Sequence, residues 1–456
     1  MLEARTQSLC PVCLRRLDAF YVREGEAVFL CKTCPEHGEF KAPVWRDNGE
    51  APLFADWRKG SRIPAYPARP AVEVRHGCPF DCGLCAEHAQ HTCTGLIEVT
   101  QRCSLLCPIC FARAGRSGHA PSPETIARQM DALFAASGSC NIQLSGGEPT
   151  EREDLPDIVA MAASRGFGLV QLNSNGLRLG TEENYARRLR EAGLDSVYLQ
   201  FDAVSDEVCL ALRGRKCLDE KLAAIEACRD AGLGVVLVCT LVRGVNDGLL
   251  GDTLRWAVAQ GQHVRGLHIQ PVSSFGRFPW ELEAAPRITL PEIMTALEVQ
   301  SSGMVHAADF HAPSCEHSMC SFSAVYTREG EGLSVPIGAA CCSGGSGVKV
   351  EDVQPQSIDN AEGSRISRAF TAAHWRNATQ ENTPSLHDAF SRFLSQSGTA
   401  RRFTLSAMAF QDALSFDIER VRGCCIHVVH EDGRLVPFCA YNLTSLGGVS
   451  LYRGRP

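Results

Sequence analysis

Apolar and polar positions along this chain follow two rhythms, and the change between them sets its organisation. From residue 96 to about residue 275, apolar runs of strand character take turns with stretches of helical period. The runs are LIEVTQ, NIQLSGGEP, LVQLNSNG, SVYLQFDA, GVVLVCTLV and GLHIQPVS. The stretches between them include SPETIARQMDALFAASG and TEENYARRLREAGL, each opened by a Ser or Thr able to cap it and closed near a Gly. Strand, helix, strand in this order predicts an α/β fold: six parallel strands with five crossovers, three-quarters of a TIM-type barrel, or a partial (β/α)6 barrel. Chemistry in such barrels gathers at the carboxyl ends of the strands, and TQRC, SGGEP, NSNG, QFDA and QPVSS all fall there.

Outside that block the rhythm differs. Residues 10–34 alternate like a hairpin. Beyond residue 310 the segment ISRAFTAAHWRNATQENTPSLHDAFSRFLSQSGTARRF is polar and predicts helix across 363–410, and IHVVHEDGRLVPFCAYN predicts a hairpin turning on Glu431, Asp432 and Gly433. The expected divisions are 1–60, 61–95, 96–310 and 311–456.

Composition changes this picture at one residue type. At 456 residues the chain is too long for one core of ordinary size, and its hydrophobic and charged fractions are those of a folded protein. A net charge of -7 without a long Lys/Arg run gives no electrostatic reason to expect nucleic acid. No apolar run approaches the ~18 residues of a membrane span, and MLEARTQSLCPVC lacks a signal-peptide core, so a cytoplasmic protein is expected. Against this ordinary background stand 23 cysteines, which metal sites explain better than disulfides. Sixteen fall into five groups: 10/13/31/34, 78/82/85/93, 103/107/110, 315/320 and 424/425/439. Of the rest, Cys140, Cys209, Cys217, Cys228 and Cys239 read as small buried side chains.

The first group has the spacing of a ribbon whose two tight turns present four thiolates, Cys10, Cys13, Cys31 and Cys34, to one Zn or Fe ion. One spacing, three intervening residues and then two, is written twice: Cys78, Cys82, Cys85 and again Cys103, Cys107, Cys110. Cys93 follows the first copy and suggests a closed four-iron cluster. The second copy has no such neighbour and follows the first barrel strand, so three thiolates would leave one iron open. Pro108 argues that these cysteines sit on a loop.

CSLLCPIC after strand one and GGEP after strand two, on a six-unit barrel, resemble the radical S-adenosylmethionine (SAM) enzymes over about 180 residues. The resemblance implies catalytic ligands Cys103, Cys107 and Cys110 on a [4Fe-4S] cluster whose open iron chelates S-adenosylmethionine, which is cleaved to a 5'-deoxyadenosyl radical that abstracts hydrogen. The cofactor-binding residues expected are Gly146, Gly147, Glu148 and Pro149, with the glycines letting backbone approach the ligand, and Asn173, Asn175, Gln200 and Asp202, bonding ribose or carboxylate. Ile109 stands where the family often has an aromatic residue, with Phe111 just beyond.

The flanking cysteines and HIQPVSSFGR resemble, over nearly the whole chain, the tetraether synthases and the pterin methylases grouped as class D radical methylases. That resemblance implies a rubredoxin-like site at Cys10, Cys13, Cys31 and Cys34 and two auxiliary clusters in addition to the radical one. The first would use Cys78, Cys82, Cys85 and Cys93. The second would use Cys315, Cys320, Cys425 and Cys439, with Cys424, Cys341 or Cys342 as alternative ligands. His88, His91, His268 and His317 are read as packing or hydrogen-bonding residues, and Tyr441 and Asn442 as facing the substrate pocket.

The activity expected is C–H activation followed by carbon–carbon bond formation, either lipid-chain coupling or class D methylation with a folate-type donor. It implies a small-molecule or lipid substrate and a reductase, ferredoxin or flavodoxin as electron donor. Peripheral membrane contact through Arg365, Arg368, Arg401 and Arg402 is weighed against a solvated helix face. The alternatives are a peptide-modifying radical enzyme and a non-catalytic iron–sulfur redox scaffold or sensor.

Overall fold

The computed structural model describes residues 1–58, 66–67, 70–281, 284–313, 315–335, 360–376 and 402–454. Cys341, Cys342 and Arg401 lie outside the described residues. The first 46 residues form an antiparallel meander of β1 (Leu2–Leu9), β2 (Arg16–Glu24), β3 (Ala27–Cys34) and β4 (Gly38–Arg46). Tyr21 and Trp45 are buried on it and pack against Phe54 and Trp57 of the helix that follows.

The main sheet is built on β5 (Thr94–Thr100), β6 (Asn141–Gly146), β7 (Leu169–Ser174), β8 (Ser196–Gln200), β9 (Gly234–Leu241) and β10 (Val264–Pro271), parallel neighbours in sequence order. All six predicted strands are present. Their apolar positions are largely buried, while inward-facing polar positions such as Gln143, Asn173, Gln200 and Gln270 stay half-buried. Ser122 caps the helix Pro123–Ser137 by accepting from the Thr125 amide at 3.3 Å. Thr181 does not open the later helix as its sequence suggests. It ends the short helix Leu177–Thr181, and Tyr185–Glu191 begins after Asn184 at a φ of 60°.

The C-terminal part extends the same sheet. After β11 (Ser321–Glu329) and β12 (Gly332–Ser334), β13 (Arg402–Met408) joins β10 in parallel, and β14 (Ile426–Val429) joins β5 in parallel. Eight parallel strands therefore stand side by side, two more than the predicted six. At one end β11 runs antiparallel to β13; at the other, β15 (Leu435–Pro437) completes the predicted hairpin with β14. Gly433 turns that hairpin at a φ of 88°.

Of the helix predicted over 363–410, the helix Asn360–Trp375 is observed, residues 377–401 lie outside the described residues, and Arg402–Met408 is strand. Residues 402–408 are strand because the free edge of β10 offers them a full ladder, a tertiary opportunity that local polarity does not reveal. Of the four arginines weighed for a membrane contact, Arg365 is exposed, Arg401 lies outside the described residues, and Arg368 and Arg402 are turned inward. Arg368 donates to the carbonyls of Thr92 (3.1 Å) and Ser137 (3.2 Å), and buried Arg402 donates to His374 Nε2 at 2.8 Å. No described helix is long and apolar enough to cross a membrane.

Candidate active site and metal centres

The loop leaving β5 carries Cys103, Cys107 and Cys110, and backbone bonds fix its path. Cys103 N–H donates to Gly115 O (2.7 Å), Cys110 and Arg277 exchange amide bonds at 2.9 and 3.0 Å, and Arg277 Nε donates to Cys107 O at 2.7 Å. All three thiols border one cavity of about 290 Å³ at the carboxyl end of the barrel. Burial pushes the Cys103 thiol up to about 12 and raises Cys107 as well, against the opposing effect of Arg213. Buried thiols that resist ionisation unaided suit a site where metal supplies the positive charge.

The Gly-Gly-Glu-Pro turn after β6 packs closely on the root of the cysteine loop. A Cβ on Gly146 would lie 2.1 Å from Thr100 O, and one on Gly147 would lie 2.2 Å from Arg102 O. Gly147 N–H donates to Thr100 O (2.6 Å) and Glu148 N–H to Arg102 O (2.8 Å). The glycines thus permit close approach to the root of the cysteine loop, while both still line the cavity. The buried Glu148 carboxylate accepts from Thr150 Oγ1 (2.7 Å), Ser174 Oγ (2.8 Å) and Asn175 N–H (2.7 Å), tying the β6 and β7 ends together. Pro149 starts the turn that follows and is buried.

Asn173, Asn175 and Gln200 line the cavity. Asn173 Nδ2 donates weakly to Gln143 and Ser145, and its buried Oδ1 has no protein partner. Asn175 Oδ1 is engaged by Leu177 N–H at 2.9 Å, and Lys221 Nζ donates to Gln200 O at 2.6 Å. Asp202 is not on the cavity wall. It is fully buried in a bidentate pair with Arg213, Nε to Oδ2 at 2.7 Å, and accepts from Thr240 N–H at 3.0 Å. Arg213, which does line the cavity and touches Cys107, is the cation that sequence reasoning missed; its signal was an Arg closing the helix after QFDA, in LRGRK.

The cavity continues into the barrel, where Gln143, Tyr198, His268 and Gln270 supply polar groups and Trp375 closes the lining. His268 Nδ1 bonds Ser406 Oγ at 2.8 Å, and burial holds its imidazole down at about 4. Near the cysteine end the wall is aromatic: Phe111, Phe275 and Phe410 all pack on Phe438. Ile109 packs into an apolar cluster with Val208 and Val272 and also lines the cavity. Tyr441 and Asn442 do not border it. Tyr441 donates to Glu98 at 3.2 Å, and Arg453 joins Glu98 and Asn442.

In the ribbon, Cys10, Cys13 and Cys34 converge with His37, their ligand atoms all within 4.8 Å of one another. Cys31 is excluded. It lies three residues before Cys34 on β3, and strand alternation turns those two side chains to opposite faces. The signal for His37 was its place two residues beyond Cys34-Pro35, within CPEH. Four such donors suit a tetrahedral ion.

The remaining cysteines also assort differently from the sequence expectation. Cys78, Cys82 and Cys85 lie together, and the Cys82 amide is held by Tyr452 OH at 2.9 Å. Cys93 instead meets Cys315 and Cys425, within the same 4.8 Å limit. Cys320, Cys424 and Cys439 form a further neighbourhood around Arg420, whose Nε donates to Cys320 Sγ at 3.5 Å.

This chain is 36% identical to the 7,8-dihydro-6-hydroxymethylpterin dimethyltransferase of Methanocaldococcus jannaschii, over 97% of this chain and 94% of that protein. The radical SAM superfamily model matches residues 97–257. The chain belongs to the radical SAM superfamily. Within this radical SAM protein, residues 2–46 match the HMPTM N-terminal zinc ribbon domain, in accord with the convergent donors found there. The GTP 3',8-cyclase of Paenarthrobacter nicotinovorans is 29% identical over 42% of this chain and 55% of its own length. Among solved structures, methylornithine synthase superposes with a TM-score of 0.36 at 16% identity, covering 47% of this chain and 64% of that one. Radical SAM membership implies a [4Fe-4S] cluster and S-adenosylmethionine, and the three cysteines on one cavity fit that pair.

Proposed function

We propose that this radical SAM enzyme forms a carbon–carbon bond at an unactivated carbon of a planar, hydrogen-bonding heterocycle of pterin type, in a class D methylation. The observation that carries this reading is the cavity itself, which runs from the three cysteines into a barrel interior lined by Gln143, Asn173, Gln200 and Gln270 beside Tyr198 and His268. Amides present donor and acceptor edges together, as a heterocycle with alternating ring nitrogens and carbonyls requires, and the unpartnered Asn173 Oδ1 calls for a donor. The name printed for the dimethyltransferase relative supports the same substrate class.

Cys103, Cys107 and Cys110 would hold the cluster, which with S-adenosylmethionine supplies, when bound, a 5'-deoxyadenosyl radical for hydrogen abstraction. Arg213, locked by Asp202, offers fixed positive charge to the S-adenosylmethionine carboxylate. Tyr198 and His268, neutral at physiological pH because of burial, orient substrate without charging the pocket. The aromatic wall of Phe111, Phe275, Phe410 and Phe438 favours a second reading, in which an acyl chain lies there and two lipid chains are coupled.

The test is anaerobic: reconstitute and reduce the protein, supply S-adenosylmethionine, and quantify 5'-deoxyadenosine with either a pterin plus methylenetetrahydrofolate or a lipid extract. Stimulation by the pterin supports methylation. Stimulation by lipid alone replaces it with chain coupling, and no 5'-deoxyadenosine under any condition removes the enzyme reading in favour of a redox scaffold.

A further inference from the structure

Barrels of this kind are ordinarily solid, their interior filled by layers of bulky branched side chains. Here the cavity runs the length of the strands. It opens at Cys103 and Cys110 and is still bordered by Thr94 and Ile426, the first residues of β5 and β14, at the opposite, amino end of the sheet. Trp375 closes it there, at the end of the helix Asn360–Trp375, and the starts of five strands hold that corner of the chain. Arg265, second in β10, donates from Nε to His374 O at 2.6 Å, and Arg402, first in β13, donates to His374 Nε2 at 2.8 Å. Arg376 donates to Asp195 Oδ1 at 2.9 Å and to Gly168 O, just ahead of β8 and β7. Gly234, first in β9, leaves room for the backbone, since a Cβ on it would lie 2.2 Å from Trp375 O. Above this corner the Tyr198 ring lies 5.8 Å from Trp375, tilted by 34°, and His268 lies 5.5 Å from Tyr198.

We propose that Trp375 is the specificity-determining floor of the substrate site: a planar heterocycle enters the barrel with its reacting carbon toward the three cysteines and its far end against the indole, which sets how large that end can be. The proposal rests on the pterin-type reading of the cavity. A floor selects by size only if it cannot move, and both chain neighbours of Trp375 are anchored, His374 by Arg265 and Arg402 and Arg376 by Asp195. Arg265, Arg402 and His374 are all buried. Burying such groups is unfavourable unless they are bonded, and a branched apolar side chain would fill the space without that cost. What the arrangement gains is a fixed aromatic surface. The indole and the Tyr198 phenol offer ring faces to a flat ligand, and the amides of Gln143 and Gln270 offer donors and acceptors to its edges. An acyl chain gains nothing from polar walls and would be stopped short by a fixed floor.

The test reads binding rather than turnover. Full-length protein, reconstituted anaerobically, left unreduced and saturated with S-adenosylmethionine, is titrated by calorimetry with pterin and with a pterin carrying a benzyl group on its 2-amino nitrogen. The C–H carbons of a pterin lie on its pyrazine ring, so the 2-amino edge is the one that meets the floor. Wild type should bind pterin and reject the enlarged form by about tenfold or more. Trp375→Ala should weaken pterin by about tenfold, the loss of one stacked ring, and bind the enlarged form at least as well as pterin. Trp375→Phe should keep the wild-type preference. A Trp375→Ala protein that retains that preference overturns the proposal even if both affinities fall, because a merely structural residue lowers both together. Equal binding of the two compounds by wild type overturns it as well. If wild type binds neither, the pterin-type reading itself fails and the floor fails with it, an outcome distinct from the other two. The S-adenosylmethionine-induced change at the radical cluster serves as the folding control, with Trp375→Leu replacing Trp375→Ala if that change is lost.

Discussion

The two copies of one cysteine spacing meet different fates in the fold. Cys78, Cys82 and Cys85 lie on a loop before the barrel, shut in by the C-terminal segment, where Tyr452 OH accepts from the Cys82 amide (2.9 Å) and donates to Pro79 O (2.7 Å). Cys103, Cys107 and Cys110 lie on the loop after β5 and open onto the barrel cavity, with Arg213 against Cys107. Spacing shapes a thiolate-presenting loop; position relative to the sheet decides whether a ligand can reach what the loop holds. Even the closing ligand follows position, since Cys93 is carried off by the β5–β14 ladder.

Several substitutions break or sharpen this contrast. The largest effect belongs to Cys107→Ala, which should reduce 5'-deoxyadenosine formation to background, whereas Cys85→Ala should keep the S-adenosylmethionine-induced change at the radical cluster; equal loss of that change in both would erase the distinction between the copies. Next, Arg213→Met strands Asp202, and removing one partner of a buried pair costs about 3–5 kcal/mol, so thermal melting should fall together with S-adenosylmethionine affinity. An unchanged affinity would reduce Arg213 to a purely structural role. Gly147→Ala drives a Cβ into the Arg102 carbonyl and should cost about 1–3 kcal/mol, with iron content falling at the second copy only. Tyr452→Phe is its counterpart at the first copy: it leaves the Cys82 N–H without its phenol and should cost about 1–2 kcal/mol while sparing S-adenosylmethionine cleavage.

The smallest effect is a pH dependence. Burial holds His268 at about 4, below the ~6.5 of an exposed imidazole, so the unfolded chain takes up a proton in that window and the folded one does not. Stability is therefore lost as pH falls from about 6.5 toward 4, and His268→Gln should lack that component. Comparing the melting temperatures of wild type and variant between pH 7.5 and 5.5 isolates it, because acid lability of the metal centres is common to both. Parallel curves would show that His268 is not held neutral.

What the sequence determined by itself is what local rules carry. The six barrel strands, the Ser122 cap, the hairpin at Gly433, the placing of Cys103, Cys107 and Cys110 on a loop at the active end, and the Gly-Gly-Glu-Pro turn were all legible, because periodicity, capping and strand-end position act over a few residues. The tertiary structure decided everything that depends on which segments meet. It turned Cys31 away from the ribbon site and brought in His37, since strand alternation sets faces and only folded geometry shows which face converges. It drew 402–408 into strand at the open edge of β10 and assigned Asp202 to Arg213 instead of to a ligand. It also gathered Cys93, Cys315 and Cys425 from segments up to 332 residues apart, 93 to 425. Spacing along a chain constrains neighbours of a few residues; a sheet ladder joins residues with no regard to their separation, and here the ladder assigned the thiols.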